Sequence, residues 1–167
     1  MFREMRRIKQ ALSLEEVIAI LKKGTSGVLA VHGDDDYPYA VPLSYVYHDS
    51  KLYFHCAKTG HKLDAISKNS KVSFCVIDED NVVPQEFTTY FRSVIVFGKA
   101  RMLEEESEIK SALKKLSERY SPDQEQLHLQ EIEKSFNHVC LIELEIEHMT
   151  GKEAIELMRK KQGIKIV

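Results

Sequence analysis

The chain has 167 residues, 43% of them hydrophobic and 30% charged, with a formal net charge of -2. That length suits one domain with its own core. The near-neutral charge, with basic residues scattered rather than gathered in a stripe, argues against a nucleic-acid partner. No apolar run approaches the roughly 20 residues that span a bilayer, so no membrane role is expected.

The start, Met1 to Arg7, is charged and leads into no signal-like apolar stretch. Ser13-Leu14-Glu15-Glu16 is a capping-box signature that opens a helix with Leu14, Val17, Ile18 and Leu21 on one face, stopped at Gly24. Residues 1–24 are therefore an N-terminal helical segment. Gly27 to Val31 reads as a strand, Gly33-Asp34-Asp35-Asp36 as a turn, and Tyr37 to Tyr47 as a second strand with Tyr39, Val41, Leu43, Tyr45 and Tyr47 on one face. A hairpin turn at His48-Asp49-Ser50-Lys51 leads to a third strand, Leu52 to Ala57. A short helix follows from His61 to Lys68, with Leu63 and Ile66 inward, then strands at Lys71 to Ile77 and Phe87 to Met102, the latter long enough to bend.

Ile109, Leu113, Leu116 and Tyr120 mark one helical stripe; Leu129, Ile132 and Phe136 mark another after the break at Ser121-Pro122-Asp123. The last strand expected is Val139 to Glu147, with Cys140, Ile142, Leu144 and Ile146 inward and Glu143, Glu145 and Glu147 on a wet face. Residues 151–167 form a C-terminal helical tail. Cys56, Cys75 and Cys140 each sit in a strand-like apolar run, the habit of reduced core thiols, and the expected location is cytoplasmic. The fold expected is a single domain, mainly β with peripheral helices: a closed or split antiparallel β-barrel rather than layered α/β, because the first three strands leave no room for crossover helices.

One constellation carries chemistry. At Thr59-Gly60 a strand gives way to a helix N-terminus whose free N–H groups suit an anion, with Lys58, His61 and Lys62 adding cations at the same corner. Such a corner could hold a phosphate. Pro42 cannot donate to a ladder, so the second strand is an edge or is opened there. The groups left free suit a planar heterocycle with alternating donors and acceptors, such as a flavin ring.

The pieces Pro42-Leu43-Ser44-Tyr45, Leu52 to Ala57, Gly60-His61-Lys62-Leu63-Asp64 and Tyr90 to Val94 also carry a resemblance. In order and spacing, from about Ile8 to Lys152, the chain is similar to the pyridoxamine-phosphate-oxidase-like FMN-binding split barrels, in their nitroimidazole-resistance branch. The resemblance implies the split-barrel fold and a homodimer with FMN in a groove between subunits. It places Val41, Pro42, Leu43 and Ser44 along the ring, His55, Cys56, His61 and Lys62 near ribityl and phosphate, and Ser93 close by. It implies two-electron reduction of a small planar acceptor such as a nitro compound. The arginine- and histidine-containing C-terminal piece with which pyridoxamine phosphate oxidases grip substrate phosphate is not found, which argues against the vitamin B6 reaction.

Blander readings stand beside these. A single strand histidine is more often structural than ligand-binding; the neighbouring Gly60-His61-Lys62 and the resemblance make His55 the candidate near ligand or substrate. Adjacent strand residues point to opposite faces, so His55 and Cys56 do not share a metal, and none is expected. Ser93 reads equally as an ordinary strand serine, and the tyrosines of the second strand as barrel wall or dimer contacts. Phosphate-binding glycine loops and nucleophile elbows are absent from the sequence, so a flavin rather than a side chain would carry the chemistry. A non-catalytic flavin- or haem-binding module, a store or sensor, is the alternative.

Overall fold

In the computed structural model, which describes residues 1–122, 124, 130, 132, 134, 136 and 138–163, alternating apolar residues build one seven-stranded antiparallel sheet. The elements in chain order are α1 (Leu14–Lys23), β1 (Ser26–His32), β2 (Pro38–Ser44), β3 (Val46–His48), β4 (Lys51–Cys56), α2 (His61–Lys68), β5 (Lys71–Val83), β6 (Thr88–Met102), α3 (Glu106–Tyr120), β7 (Cys140–Glu153) and α4 (Ile155–Lys161). The strand order is β2-β1-β5-β6-β7-β4-β3. The two edge strands are consecutive in the chain, separated by Tyr45 alone, and no ladder joins them among the described residues. The sheet therefore curls on itself without closing: a split barrel, as the pattern predicts.

Inside the barrel lie Leu29, Tyr45, Phe54, Phe74, Val94, Val96, Ile142 and Leu144. A second cluster fills the space between α3 and the outer side of β3, β4 and β7, with Val46, Tyr53, Leu113, Leu116, Ile132 and Leu141. The α1 capping box forms as read: Glu16 N–H donates to Ser13 Oγ at 3.2 Å and Ser13 N–H donates to Glu16 Oε2 at 2.9 Å. Its buried face is Val17, Ile20 and Leu21, while Leu14, expected inward, is exposed because it starts the helix outside the sheet's reach. Gly24 does end α1, but with ordinary φ. A Cβ there would collide with the Tyr45 hydroxyl, so the glycine serves close packing rather than a left-handed turn. Asp49 and Ser50 both take positive φ, the conformation of a tight hairpin between β3 and β4.

Four expectations need correction. The second strand breaks at Tyr45, whose ring is fully buried as expected but whose backbone is engaged by Tyr120: its N–H donates to Tyr120 Oη at 2.9 Å and its C=O accepts from that hydroxyl at 2.8 Å. The fourth strand reaches beyond Ile77 to Val83, its residues Glu79 to Val83 pairing with Thr88 to Arg92 of the fifth, which spans Thr88 to Met102 much as read. β7 continues to Glu153, so the C-terminal helix starts only at Ile155. Glu143 is not on a wet face: it is 6% exposed beneath α3, where its carboxylate accepts from Lys51 Nζ at 3.0 Å and Arg101 Nε at 3.1 Å. Glu145 and Glu147 are exposed as expected. Of the second helical stripe, Leu129 lies outside the described residues, as does Asp123 of the preceding break; Ile132 is buried in the second cluster, with Phe136 packed against it.

Candidate functional site

The β2 edge supplies the first half of the site. Gly33 N–H donates to Tyr37 C=O and Tyr45 N–H to Thr25 C=O, which turns the odd-numbered backbone groups of this segment toward β1. Antiparallel ladders alternate, so the even-numbered groups of β2 face away from the sheet. The free edge thus offers C=O of Ala40, Pro42 and Ser44 and N–H of Ala40 and Ser44. Pro42 stands where its missing N–H breaks no ladder bond, as expected for an edge strand. The side chains of Val41 and Leu43 pack against the barrel interior, whereas those of Pro42 and Ser44 are exposed.

The second half is the corner after β4. Gly60 is the N-cap of α2, with φ 139° and ψ 164° and no side-chain cap. This region is essentially restricted to glycine, so the residue is fixed by backbone geometry. The first N–H groups of α2 are left to outside acceptors. Lys58 is exposed and Lys62 half-buried; neither has an acidic partner among the described residues. Both cations act on the Cys140 thiol, and Lys62 on Cys56 as well, which locates them together at the end of β4. His55, exposed on the outer side of β4, makes no hydrogen bond to any described residue.

Three of the ten expected residues are placed differently from the rest. His61 is turned to the β1–β2 turn: its Nε2 accepts from Asp34 N–H at 3.3 Å, and its ring stacks on Tyr39 at 4.2 Å between centroids. It braces the corner against β2. Asp34 is held below its usual carboxylate range by the hydrogen bond from Lys68, with charge contributions from Lys68 and His61. Cys56 faces the barrel interior, half-buried, and burial pushes its thiol up to about 11, with Lys62 opposing. Ser93 sits on the outer sheet face opposite Ile77 and Lys152. Three strand steps separate β6 from β2, about 14 Å at ordinary spacing, so one copy of the chain does not bring Ser93 to the β2 edge.

The sequence reading missed the groups that build this corner from afar. Asp34 and Tyr39 hold His61, and Tyr120 Oη accepts from Tyr45 N–H at 2.9 Å, fixing the point where β2 gives way to β3. Only the side-chain types were visible beforehand, not their pairing.

The outer sheet face is apolar. The row Pro42, Val28, Cys75, Ile95 and Thr150 crosses five strands in register, and Ile77 and Phe97 flank it on the same face. Val28, Ile77, Ile95 and Phe97 are all exposed. At one end Phe2 stacks on His148, with ring centroids 4.7 Å apart. A hollow of about 380 Å³ on this face is lined by Ala30, His32, Pro38, Ser73 and Phe97 among others, and by none of the expected ligand residues. No group of three or more metal-ligating side chains converges, and no helix is long and apolar enough to cross a membrane, among the described residues.

Comparison with known proteins decides the family. Residues 13–153 match the sequence profile of the family described as pyridoxamine 5'-phosphate oxidase. The chain belongs to that family. Solved structures similar to this family member include a protein named for 5-nitroimidazole antibiotic resistance from Bacteroides thetaiotaomicron, 21% identical, covering 86% of each chain, with a TM-score of 0.71. An FAD-binding protein from Mesorhizobium loti is 26% identical over 86% of this chain and 96% of its own, with a TM-score of 0.61. A flavocytochrome from Azotobacter vinelandii is 21% identical over 91% of this chain and 72% of its own, with a TM-score of 0.75. No curated protein matches the chain.

Proposed function

We propose that this pyridoxamine-phosphate-oxidase-family protein is a cytoplasmic FMN-binding oxidoreductase. It carries out two-electron reduction of a small planar acceptor, of which a nitroimidazole or other nitro compound is the type. The observation that carries this reading is one juxtaposition. A strand edge with unpaired donors and acceptors lies beside an uncapped helix N-terminus, joined to it by the His61–Tyr39 stack and flanked by two lysines that have no acidic partner among the described residues. The donor set fits the group: carbonyls of Ala40, Pro42 and Ser44 and N–H of Ser44 suit a ring that both donates and accepts. The α2 N-terminus with Lys58 and Lys62 suits a phosphate. The flavin-binding neighbours support the same choice.

Flavin, when bound, supplies reversible two-electron transfer. The chain's part is placement. Lys62 and Lys58 neutralise the phosphate, Gly60 lets the backbone approach it, and His61, braced by Tyr39 and Asp34, keeps α2 against β2. His55 is exposed toward solvent with no hydrogen-bond partner among the described residues, where it can orient an acceptor. The apolar outer face supports a homodimer with flavin between the subunits. Because Ser93 lies on that face, a second copy seated there is what brings a Ser93 to the groove.

Lys62→Ala tests the corner. It is expected to lose bound flavin while the urea midpoint of the flavin-free protein matches that of the flavin-free parent; a variant that retains flavin contradicts the assignment. His55, exposed and without a hydrogen-bond partner among the described residues, favours one second reading, a non-catalytic module that holds haem through that residue or stores flavin. A haem absorbance lost in His55→Ala, or flavin without turnover of any nitro or quinone acceptor, would establish it.

A further inference from the structure

Cys56 ends β4, Cys140 begins β7, and the β4–β7 register sets them directly opposite each other. Ile146 N–H donates to Ser50 C=O on the β4 side, whereas Leu141 C=O accepts from Leu103 N–H on the other side of β7. Even-numbered backbone groups of β7 therefore face β4, and Cys140 forms a hydrogen-bonded pair with Cys56. Such pairs have Cα atoms about 5.5 Å apart, inside the roughly 4.4–6.8 Å that a disulfide bridges. Both side chains lie half-buried at the rim of the barrel interior, near enough for each thiol to act on the other, and the Cys140 thiol itself donates to Leu141 C=O at 3.9 Å. Cys75 has no such neighbour: it is opposite Val28 and Ile95.

We propose that Cys56 and Cys140 form a reversible thiol–disulfide site that exchanges with low-molecular-weight disulfides. The thiolate of one cysteine attacks the small disulfide, breaking its S–S bond, forming a mixed disulfide and releasing one small thiol. The second cysteine attacks the protein-side sulfur of that mixed disulfide, forming the Cys56–Cys140 bond and releasing the other small thiol. The dithiol is oxidised by two electrons and the small disulfide reduced; the two thiol protons end on the released thiols.

Two features set its character. Burial keeps the Cys56 thiol near 11, so oxidation is slow at neutral pH and quickens as pH rises. The Cβ atoms of a hydrogen-bonded pair stand about 1 Å further apart than a relaxed disulfide allows. Closing the bond draws the strand ends together, and strained disulfides are the readily reduced ones. The pull falls on Ala57 to Gly60, the segment that carries Lys58 into α2. A change in flavin retention on oxidation is thus expected; this consequence rests on the flavin reading, whereas the bond itself does not.

The test uses the full chain. After incubation with oxidised glutathione at mildly alkaline pH, remaining thiols are alkylated and the protein is digested with trypsin without reductant. The expected product is peptide 52–58 joined to peptide 135–152, with Cys75 alkylated, the linkage being intramolecular on a non-reducing gel. It persists in Cys75→Ser, disappears in Cys140→Ser and reverses with dithiothreitol. Cys56 and Cys140 recovered separately, alkylated or each capped by glutathione, overturn the proposal, as does a linkage found only between chains. A linked pair in protein without flavin sustains the thiol site and counts against the flavin reading alone.

Discussion

The β2 and β3 edges are neighbouring stretches of one chain, divided only by Tyr45, yet they are finished in opposite ways. Val46 of β3 is buried under α3 with Tyr53, Leu113 and Leu116, and Tyr120 reaches the Tyr45 backbone. Pro42 and Ser44 of β2 are exposed, and their outward backbone groups meet no partner in the sheet. A bare edge invites pairing with another strand. Pro38 and Pro42 remove two of its donors, which discourages that pairing while leaving the carbonyls in place. One seam is closed by packing and the other is left open.

The comparison breaks most visibly if the closed seam is emptied. Tyr45→Ala removes a fully buried ring and is expected to lower stability by about 3–5 kcal/mol, read from urea denaturation. If the loss is under 1 kcal/mol, the seam is not where the barrel is held. At the open seam, Gly60→Ala places a Cβ in a glycine-only backbone region and is expected to cost about 1–3 kcal/mol. No neighbour crowds a Cβ there, so any loss reports backbone strain, and flavin binding should weaken with it.

Tyr120→Phe is a milder cut. Tyr45 N–H keeps its bond to Thr25 C=O at 3.2 Å, so a loss of about 1 kcal/mol is expected in the same assay.

The closed side also carries a pH signature. Burial pushes the Glu143 carboxyl up, but the Lys51 hydrogen bond and the Arg101 charge outweigh it, so it titrates below the ordinary 4.5. A depressed carboxylate stabilises the fold fully above its unfolded value, and that share is lost as pH falls through the folded one. Glu143→Gln should therefore flatten the acid limb of the stability profile below about pH 4.5, and an unchanged limb would remove the ion cluster from the account. Smallest in stability is Lys62→Ala, within about 0.5 kcal/mol of the flavin-free parent, because the side chain makes no hydrogen bond or ion pair among the described residues.

Much of the fold was readable because its signals are local. The Ser13–Glu16 box, the Asp49-Ser50 hairpin, the α2 helix and the alternation of β7 each depend on residues within a few positions of one another. The misreadings share a cause in distant contacts. Nothing near Tyr45 says that Tyr120 will take its backbone and divide the strand. Glu143 looked wet until α3 and Arg101 covered it, and the acidic run Asp78 to Asp80 hid a strand held by pairing with β6. The site divides in the same way. Gly60, Lys58 and Lys62 form a corner legible in five residues, but the bracing of His61 by Asp34 and Tyr39, and the approach of Cys140 to Cys56, are long-range facts of topology.

The most direct measurement is the absorbance spectrum of the freshly purified protein, followed by denaturation and identification of what is released. The account predicts flavin bands and free FMN. A colourless protein whose spectrum and stability do not respond to added FMN would contradict the claim that the open β2 edge and the Lys58–Lys62 corner exist to hold a flavin.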